Sequence, residues 1–372
     1  MLKKIARLLL NLKVCHSYHK YYKYLLNRNN FRNRKIKDEN KWIEKWSVLG
    51  KAHPVYYRLF SHYIGLDLNI VPEDICRTII EPILNPQVYI RYYSDKNMFD
   101  KMFKAGTLPQ TVLRKMGGFY YDQSYHRISI DNTNTLYEWL SKAQTNKIVI
   151  KPSVDTGSGV GVRLFEKQED MWIDMESGIK LCVDKIKEYY ADNIIIQEYI
   201  EQSNDLAYYN SSSVNTLRLT LYRSVKSDEC HIPSAIIRIG RNGALVDNAH
   251  AGGGYVGIKP DGTLCNKVLN QYGETLSEFN GIDYSKEHKI ANWDKIVDFA
   301  KNIGASIPHH RLVALDIMVD KNDTPRLIEF NCVAYSMWLF QFTMGPAFGE
   351  YTDEIIEYCT ANLEKAQKMI TL

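Results

Sequence analysis

The sequence has few cysteines for its length, and their placement argues against two classes of protein. Its 372 residues include seven cysteines. Their number is odd, their spacings are wide and none forms a C-x-x-C pair, so we expect reduced thiols in a cytoplasmic protein rather than a disulfide framework or a zinc site. The sequence also has no apolar run of 18 residues, so we expect no transmembrane helix.

Acidic residues are absent from the first 37 positions, which hold eleven lysines and arginines. The remainder carries 36 basic and 43 acidic residues, so the net charge of +4 hides a basic arm on an acidic body. Five apolar side chains of the arm recur at helical spacing and would share one face: Leu2, Ile5, Leu8, Leu9 and Leu12. Such a helix is typical of attachment to a membrane surface, and packing on its own domain is the alternative. No nucleic-acid motif follows, so we expect no nucleic-acid partner.

The motifs of side-chain nucleophiles, such as G-x-S-x-G, are also missing, and a glycine-rich loop stands out instead. The stretch "IVIKPSVDTGSGVGVRLF", residues 148–165, begins as a buried strand that ends in Lys151. A lysine is costly to bury unless an anion meets it. Gly157, Gly159 and Gly161 follow, and such glycines allow positive φ and a close backbone approach to a ligand. The stretch indicates a phosphate site, and a hairpin with a glycine-rich turn is the alternative.

The alternation of patterns along the chain predicts an α+β fold with antiparallel hairpins. We expect a basic amphipathic arm over residues 1–40 and a mainly helical N-terminal domain over 41–115. A central domain over 116–205 and a C-terminal domain over 206–372 would follow. Among the individual strands, the patterns predict Val88–Tyr92 and the segment "ALVDNAH", residues 244–250.

The segment 311–331 predicts a hairpin of two apolar strands that contain acidic residues. Its turn, "KNDT", would place Asp316 opposite Glu329, with Asn331 on the same face as Glu329. Two facing carboxylates are unfavourable unless a cation lies between them, and carboxylates with an amide oxygen suit Mg²⁺. The alternative is that one acid pairs with an arginine such as Arg218. A phosphate site and a Mg²⁺ site together indicate a nucleoside triphosphate.

In this order along the chain, several segments resemble the ATP-grasp superfamily: "SDKNMFDKMF", "IVIKPSVDTGSGVGV", "IIIQEYIE", "LDIMVD" and "LIEFN". The surroundings of "NTLRL" and "LIEFN" are most similar to the sugar-transfer associated ATP-grasp proteins. The resemblance covers roughly residues 90 to 345. It implies an ATP-grasp fold in which ATP is held between two antiparallel sheets of the central and C-terminal domains, with a helical N-terminal region.

The resemblance also implies roles for residues of this chain. ATP would be contacted by Lys96, Lys151, Ser153, Gly157, Ser158, Gly159, Gly161, Glu198, Tyr199 and Ile200. Glu201 or Asp205 would bind the ribose. Asp316, Glu329 and Asn331 would hold Mg²⁺, and Arg218, with Lys151, would assist phosphoryl transfer. Between these motifs, an acceptor is expected to meet Arg238, Arg241, Asn248 and His250, unless they only belong to a glycine-rich hairpin.

ATP-grasp enzymes mostly activate a carboxylate as an acyl phosphate, which an amine then attacks. The resemblance therefore implies an ADP-forming carboxylate–amine ligase in surface polysaccharide or capsule biosynthesis, which amidates a sugar carboxylate such as a uronic acid. We expect a cytoplasmic protein, held by its basic arm at the inner face of the membrane. Two alternatives remain open: a sugar kinase of the same fold, and a non-catalytic ATP-binding scaffold of glycosyltransferases.

Overall fold

The computed structural model describes residues 2–154 and 159–368. The chain divides into two compact units. The first unit comprises Met1–Arg91, Asn204–Met318 and Phe330–Leu372, and the second comprises Tyr92–Ser203 and Val319–Glu329. The arm, the mainly helical region and most of the C-terminal region therefore share one unit, whereas the sequence patterns suggested a separate domain for each.

Antiparallel strands make up both large sheets. In chain order the strands are β1 Thr111–Met116, β2 Phe119–Tyr121, β3 Arg127–Ile128, β4 Lys147–Pro152, β5 Arg163–Gln168, β6 Met171–Asp174, β7 Ile194–Glu198, β8 Thr216–Arg223, β9 Cys230–Ile239, β10 Gly254–Gly257, β11 Val268–Leu269, β12 Thr275–Leu276, β13 Glu278–Phe279, β14 Ile282–Asp283, β15 Leu312–Val319 and β16 Pro325–Asn331. The first sheet has the order β3-β2-β1-β7-β4-β5-β6, and the second has the order β12-β11-β10-β9-β8-β15-β16. Strands β13 and β14 form a small hairpin.

The α-helices, in chain order, are α1 Leu2–Arg28, α2 Glu39–Ser47, α3 Val55–Ile64, α4 Glu73–Ile75, α5 Glu81–Leu84, α6 Ile90–Ser94, α7 Phe99–Met102, α8 Thr133–Leu140, α9 Val183–Tyr189, α10 Asn204–Ala207, α11 Trp293–Ala305, α12 Trp338–Thr343, α13 Thr352–Ala361 and α14 Leu363–Lys368. A π-helical turn, Cys76–Ile80, joins α4 to α5. Short 3₁₀ helices cover Gln87–Tyr89, Lys96–Met98, Ala249–Ala251 and Gly349–Tyr351.

Each unit has its own apolar core. In the first unit, aromatic side chains of α2 and α3 pack with residues of α12 and with the second half of α1, where Tyr22, Leu25 and Leu26 are fully buried. In the second unit, β1, β4 and β7 pack against α8 and α9. Strands β8 and β15 are buried along their whole length, and each lies between two other strands of the second sheet.

The predicted hairpin in segment 311–331 is confirmed, because β15 and β16 are neighbouring strands of the second sheet. The carboxylate of Asp320 accepts hydrogen bonds from the backbone N–H groups of Asn322 and Thr324, at 2.9 and 3.0 Å. Because an aspartate often forms such local bonds in turns, a polar turn of this kind can be predicted from the sequence.

Two predicted strands are wrong. Val88–Tyr92 is helical, because Val88 is 74% exposed while Tyr89 stacks on His309 with ring centroids 3.7 Å apart. The segment 244–250 is irregular and runs into a 3₁₀ helix. Its Asp247 carboxylate accepts a hydrogen bond from the backbone N–H of Thr216 at 2.9 Å, so this side chain is tied to β8 rather than to a strand partner of its own segment.

Candidate active site

Lys151 lies near the end of β4 and is buried beside β7, where it is the register partner of Ile195. Burial, together with the positive charge of Lys96, lowers the pKa of its ammonium from 10.5 to about 8, while Glu329 acts in the opposite direction. Among the described residues, no carboxylate lies within ion-pair distance of Lys151. A buried ammonium in such surroundings suits an anionic ligand.

A backbone hydrogen bond places Lys96 close to the end of β4, near Lys151. Its N–H donates to the carbonyl of Ser153 at 2.9 Å, two residues beyond Lys151. The side chain of Asp95 accepts from the backbone N–H of Asn97 at 2.9 Å and so caps the 3₁₀ turn Lys96–Met98. The Lys96 Nζ atom then lies 3.2 Å from Glu329 Oε2.

The group formed by Lys96, Lys151, Ser153 and Glu329 carries two positive charges and one negative charge. Ser153 is buried, and its hydroxyl oxygen has no hydrogen-bond partner among the described residues. A buried hydroxyl without a partner is unfavourable unless a ligand or water completes it. The excess positive charge and this hydroxyl both fit a phosphate group.

The glycine loop follows directly after β4. Gly159 and Gly161 have φ values of 73° and 76°, the left-handed conformation expected from the sequence. At Gly161 a Cβ atom would come within 2.9 Å of Pro152 Cγ, so a larger residue would push the loop away from the strand. Gly157 and Ser158 lie outside the described residues.

The predicted ATP contacts Glu198, Tyr199 and Ile200 lie at the end of β7, on the same sheet as Lys151. The Glu198 carboxylate accepts from the backbone N–H of Gln144 at 2.7 Å, and the Tyr199 N–H donates to the Lys147 carbonyl at 3.0 Å. Ile200 follows and is half-buried. The side chain of Glu198 is therefore used in holding the α8–β4 connection.

The two candidate ribose ligands, Glu201 and Asp205, fall in different compact units. Glu201 is exposed and forms an ion pair with Lys321, with Oε2 and Nζ 2.9 Å apart. Asp205 accepts a hydrogen bond from the backbone N–H of Ala291 at 3.1 Å. The choice between them stays open.

In the first unit, Arg218 and Asp316 are register partners on β8 and β15. The guanidinium donates twice to the carboxylate: Nε is 2.7 Å from Oδ1, and Nη2 is 2.6 Å from Oδ2. Both side chains are buried, and such a two-point contact is strong and directional. The described residues therefore show an ion pair between Asp316 and Arg218, which was the alternative to a metal site.

Arg238 extends this pair into a network. Its Nη1 lies 3.4 Å from Asp316 Oδ2, and its Nη2 lies 2.9 Å from Asp247 Oδ1. The charges thus alternate across the sheet face: Arg218, Asp316, Arg238 and Asp247. The amide nitrogen of Asn331 reaches the same carboxylate at 3.5 Å from Asp316 Oδ2. Arg238 was predicted as a substrate ligand, and the structure brings it to Asp316.

The other predicted acceptor residues lie in the segment between β9 and β10. Asn248 caps the 3₁₀ helix Ala249–Ala251 by accepting from the backbone N–H of His250 at 3.0 Å. The His250 ring contacts the side-chain amide of Gln271, and Arg241 lies at the start of the same loop.

Asp247 and Thr216 were missed by sequence reasoning. Both hydrogen-bonding groups of Thr216, the backbone N–H and the hydroxyl, donate to Asp247 Oδ2. Thr216 and Asp247 are 31 positions apart in the sequence. Thr216 is also the register partner of Arg238 in the pairing of β8 with β9, so the strand pairing brings these residues together. The sequence signal was weak: a lone aspartate in a stretch that reads as a strand.

The predicted metal ligands have the right chemistry for a hard cation. Asp316 and Asn331 approach each other in the first unit, and Glu329 faces Lys96 in the second. Within residues 2–154 and 159–368, no cluster of three or more His, Cys, Asp or Glu side chains is suited to a metal ion. Carboxylate and amide oxygens still fit Mg²⁺, provided that the cation shares Asp316 with Arg218.

Taken together, two antiparallel sheets in an α+β chain, with buried lysines beside a glycine loop, define a fold class suited to phosphate-bearing ligands. The profile of the sugar-transfer associated ATP-grasp family matches residues 77–355, so the chain belongs to that family. The fold is therefore ATP-grasp, which confirms the resemblance and the fold class drawn from the sequence.

Solved structures similar to this chain include three enzymes. D-cycloserine synthetase DcsG is 13% identical over 75% of this chain and 73% of that chain, with a TM-score of 0.41. The D-alanine-D-alanine ligase from Coxiella burnetii is 12% identical over 74% and 60%, with a TM-score of 0.39. The L-amino acid ligase from Bacillus licheniformis is 13% identical over 70% and 47%, with a TM-score of 0.37. The chain spans less than two thirds of the last two. None of the curated proteins matches it.

Proposed function

We propose that this protein is an ATP-dependent carboxylate–amine ligase that forms an amide on a sugar carboxylate, such as a uronic acid, during assembly of a surface polysaccharide. The observation that carries the proposal is the buried Lys151 beside Lys96 and Ser153, because this cationic group fits the phosphates of ATP. Membership of the sugar-transfer associated ATP-grasp family supports the nucleotide and the sugar context.

In this proposal the reaction has two displacements. An oxygen of the sugar carboxylate bonds to the γ-phosphorus of ATP while the bond to the leaving ADP oxygen breaks. The nitrogen of the amine then bonds to the acyl carbon, phosphate leaves, and the nitrogen gives up a proton. No side-chain nucleophile is needed, which agrees with the absence of nucleophile motifs from the sequence.

Residues of the chain are assigned by charge. Lys96 and Lys151 hold the phosphates, and Arg218 steadies the transferred phosphoryl group, because negative charge on its oxygens must be offset during transfer. Asp316 and Asn331 would hold Mg²⁺, which when bound offsets the same charge. The loop that contains Gly159 and Gly161 excludes water from the acyl phosphate.

The experiment is ADP release from Mg²⁺-ATP with a hexuronic acid, an acidic oligosaccharide or extracted lipid-linked glycan, each with and without a pool of amino acids. We expect turnover that needs both the acid and an amine. Asp316→Asn and Lys151→Ala should each lower it by at least about a hundredfold. Lys147→Ala is the matched control, because Lys147 lies on the same strand but pairs with Glu166.

Two results would overturn the ligase proposal. Turnover with a sugar but without an amine would identify the kinase alternative. ATP binding without turnover in any mixture would favour the nucleotide-binding scaffold.

We further propose that the first half of α1 attaches the protein to the cytoplasmic face of a membrane. Leu9, Leu10 and Leu12 are 61%, 47% and 57% exposed, within the first 37 residues, which contain no acidic residue. The described part of the chain contains no helix with the length and apolar character needed to cross a membrane. Exposed leucines on a basic helix support surface attachment instead.

A further inference from the structure

The segment Cys332–Met337 follows β16 directly and has a strained backbone. Ala334 and Ser336 have φ values of 51° and 61°, although neither is glycine. Such a backbone conformation is unfavourable for a residue other than glycine and persists only when surrounding contacts enforce it. The segment begins next to Asn331, whose amide approaches Asp316, so its conformation bears on the proposed metal site.

One enforcing contact comes from Glu81, at the start of α5. Its two carboxylate oxygens lie 3.0 and 3.1 Å from the Ala334 backbone nitrogen, which donates to them. Glu81 is buried and forms an ion pair with Arg77, one turn earlier, at 2.9 Å. The backbone N–H groups of Ala334 and Tyr335 both stabilise the ionised carboxylate, although burial raises the pKa of Glu81 overall.

The second contact comes from Asn85, one turn after Glu81. Its side-chain amide donates to the carbonyl of Cys332 at 2.9 Å. Its side-chain oxygen accepts from the backbone N–H groups of Arg311 and Leu312, at 3.1 and 3.0 Å, at the start of β15. Asn85 is fully buried and therefore ties the beginning of β15 to the residue that follows Asn331.

The helix that presents both side chains is itself irregular. The π-helical turn Cys76–Ile80 lies directly before Glu81. Such turns are rare and occur often at functional sites, since they change the direction in which later side chains point. Glu81 is the first residue of α5 and Asn85 follows its last residue, so both side chains reach Ala334 and Cys332 from just after this turn.

We propose that Glu81 and Asn85 are positioning residues, which hold the segment Cys332–Met337 in its strained form and so fix Asn331 for the transfer reaction. The inference rests on the proposed ligase function. It assigns a reaction role to two buried polar residues that the proposed mechanism does not otherwise use. The nucleotide-holding lysines belong to the other compact unit, so we expect the effect on transfer to exceed the effect on nucleotide binding.

The test compares Glu81→Ala, Glu81→Gln and Glu39→Ala. Glu39 is the matched control, because it is also buried, and its hydrogen bonds among the described residues go to Arg58 and Ile36 rather than to Cys332–Met337. We expect Glu81→Ala to lower kcat/KM for the acceptor by about tenfold to a hundredfold, since small misplacements at a reaction centre have effects of this size. The Kd for ADP in EDTA should change less than about threefold.

Glu81→Gln should recover part of the activity, because its amide oxygen can still accept from Ala334. Glu39→Ala should leave kcat/KM near the wild-type value even where it lowers Tm equally. Unchanged kcat/KM in folded Glu81→Ala, or an equal loss in Glu39→Ala, would overturn the inference.

A second readout separates this inference from the proposed function. Amide hydrogen exchange of a peptide that spans Ala334–Met337 should be at least about tenfold faster in Glu81→Ala, and faster to a lesser degree in Glu81→Gln. Exchange over 147–154 should not change. If the wild-type protein showed no ligase activity, unchanged exchange at 334–337 would still refute the positioning contact. Faster exchange confined to that peptide would support it.

Discussion

At the scale of single residues, buried charges in this protein fall into two kinds. Arg218 and Arg238 each lie within 3.4 Å of a carboxylate oxygen of Asp316. Lys151 is equally buried but has no such partner among the described residues. Paired charges of the first kind orient one another, whereas a charge of the second kind lowers stability until a ligand arrives. The contrast indicates that Lys151 is kept for binding rather than for folding.

The first prediction follows from this contrast and concerns Lys151→Met. Without nucleotide the variant should be more stable than the wild type by about 1–2 kcal/mol, because a buried charge is replaced by an apolar chain of similar length. With Mg²⁺-ATP the order should reverse, since only the wild type gains stability from binding. Thermal unfolding with and without Mg²⁺-ATP measures both effects.

The second prediction is the direction in which the stability difference between the wild type and Lys151→Met changes with pH. The pKa of Lys151 is about 8 in the folded protein against 10.5 in the unfolded chain, so the unfolded wild type binds more protons between these values. Wild-type stability should therefore rise relative to Lys151→Met from pH 8 to 10.5. Lys147→Met serves as the control. A stability gap that does not narrow would contradict the assignment of Lys151 as a buried charge.

At the scale of secondary-structure elements, two buried acidic residues of α4, Glu73 and Asp74, bind side chains of α1. The Tyr22 hydroxyl donates to the Glu73 carboxylate, and the His19 ring lies 2.7 Å from Asp74 Oδ2. The second half of α1 is therefore part of the first unit's core. A deletion of residues 1–37 would remove buried side chains and unfold this core, so it cannot serve as a test of membrane attachment.

Glu73→Gln tests the joint between α1 and α4. Burial raises the pKa of Glu73 from 4.5 to about 8. A raised pKa in an acid contributes stability that is complete below pH 4.5 and is lost as pH rises through 8. The wild-type free energy of unfolding should therefore fall relative to Glu73→Gln over this range, by at least about 1 kcal/mol.

Tyr22→Phe provides a directional check on that result. The hydrogen bond from Tyr22 favours the ionised form of Glu73, so its removal should move the loss of stability to higher pH. Denaturant unfolding from pH 4.5 to 9 measures all three proteins. Parallel curves for the wild type and Glu73→Gln would show that Glu73 is not the titrating group.

The elements that could be predicted from the sequence are those stabilised by contacts between residues close together in the chain. The β15–β16 hairpin was readable because Asp320 binds the backbone of its own turn. The helical 87–94 segment was not, because the stacking of Tyr89 on His309 joins residues 220 positions apart in the numbering. The same limit applies to the site: Lys151 stands out in its own strand, whereas the contact of Arg238 with Asp247 depends on a loop that returns to β8.

At the scale of the whole molecule, charge is divided unevenly along the chain. The first 37 residues carry eleven basic and no acidic residues, and the rest carries seven more acidic than basic residues. An anionic surface should therefore attract the arm and repel the body, which would orient the protein on a membrane. Because exposed charges act through solvent, this attraction should weaken as the ionic strength rises.

The last prediction tests that orientation without disturbing the core. The triple variant Leu9→Ser, Leu10→Ser and Leu12→Ser should lose binding to vesicles that contain about 30% anionic lipid, since apolar area and charge act together in interfacial binding.

Vesicle sedimentation in low and high salt measures the loss, and thermal unfolding should give an unchanged Tm, because these side chains are exposed. Leu66→Ser, at a leucine 50% exposed elsewhere in the same unit, is the matched control and should bind as the wild type does. Equal binding by the triple variant and the wild type would show that the first half of α1 is not the attachment site.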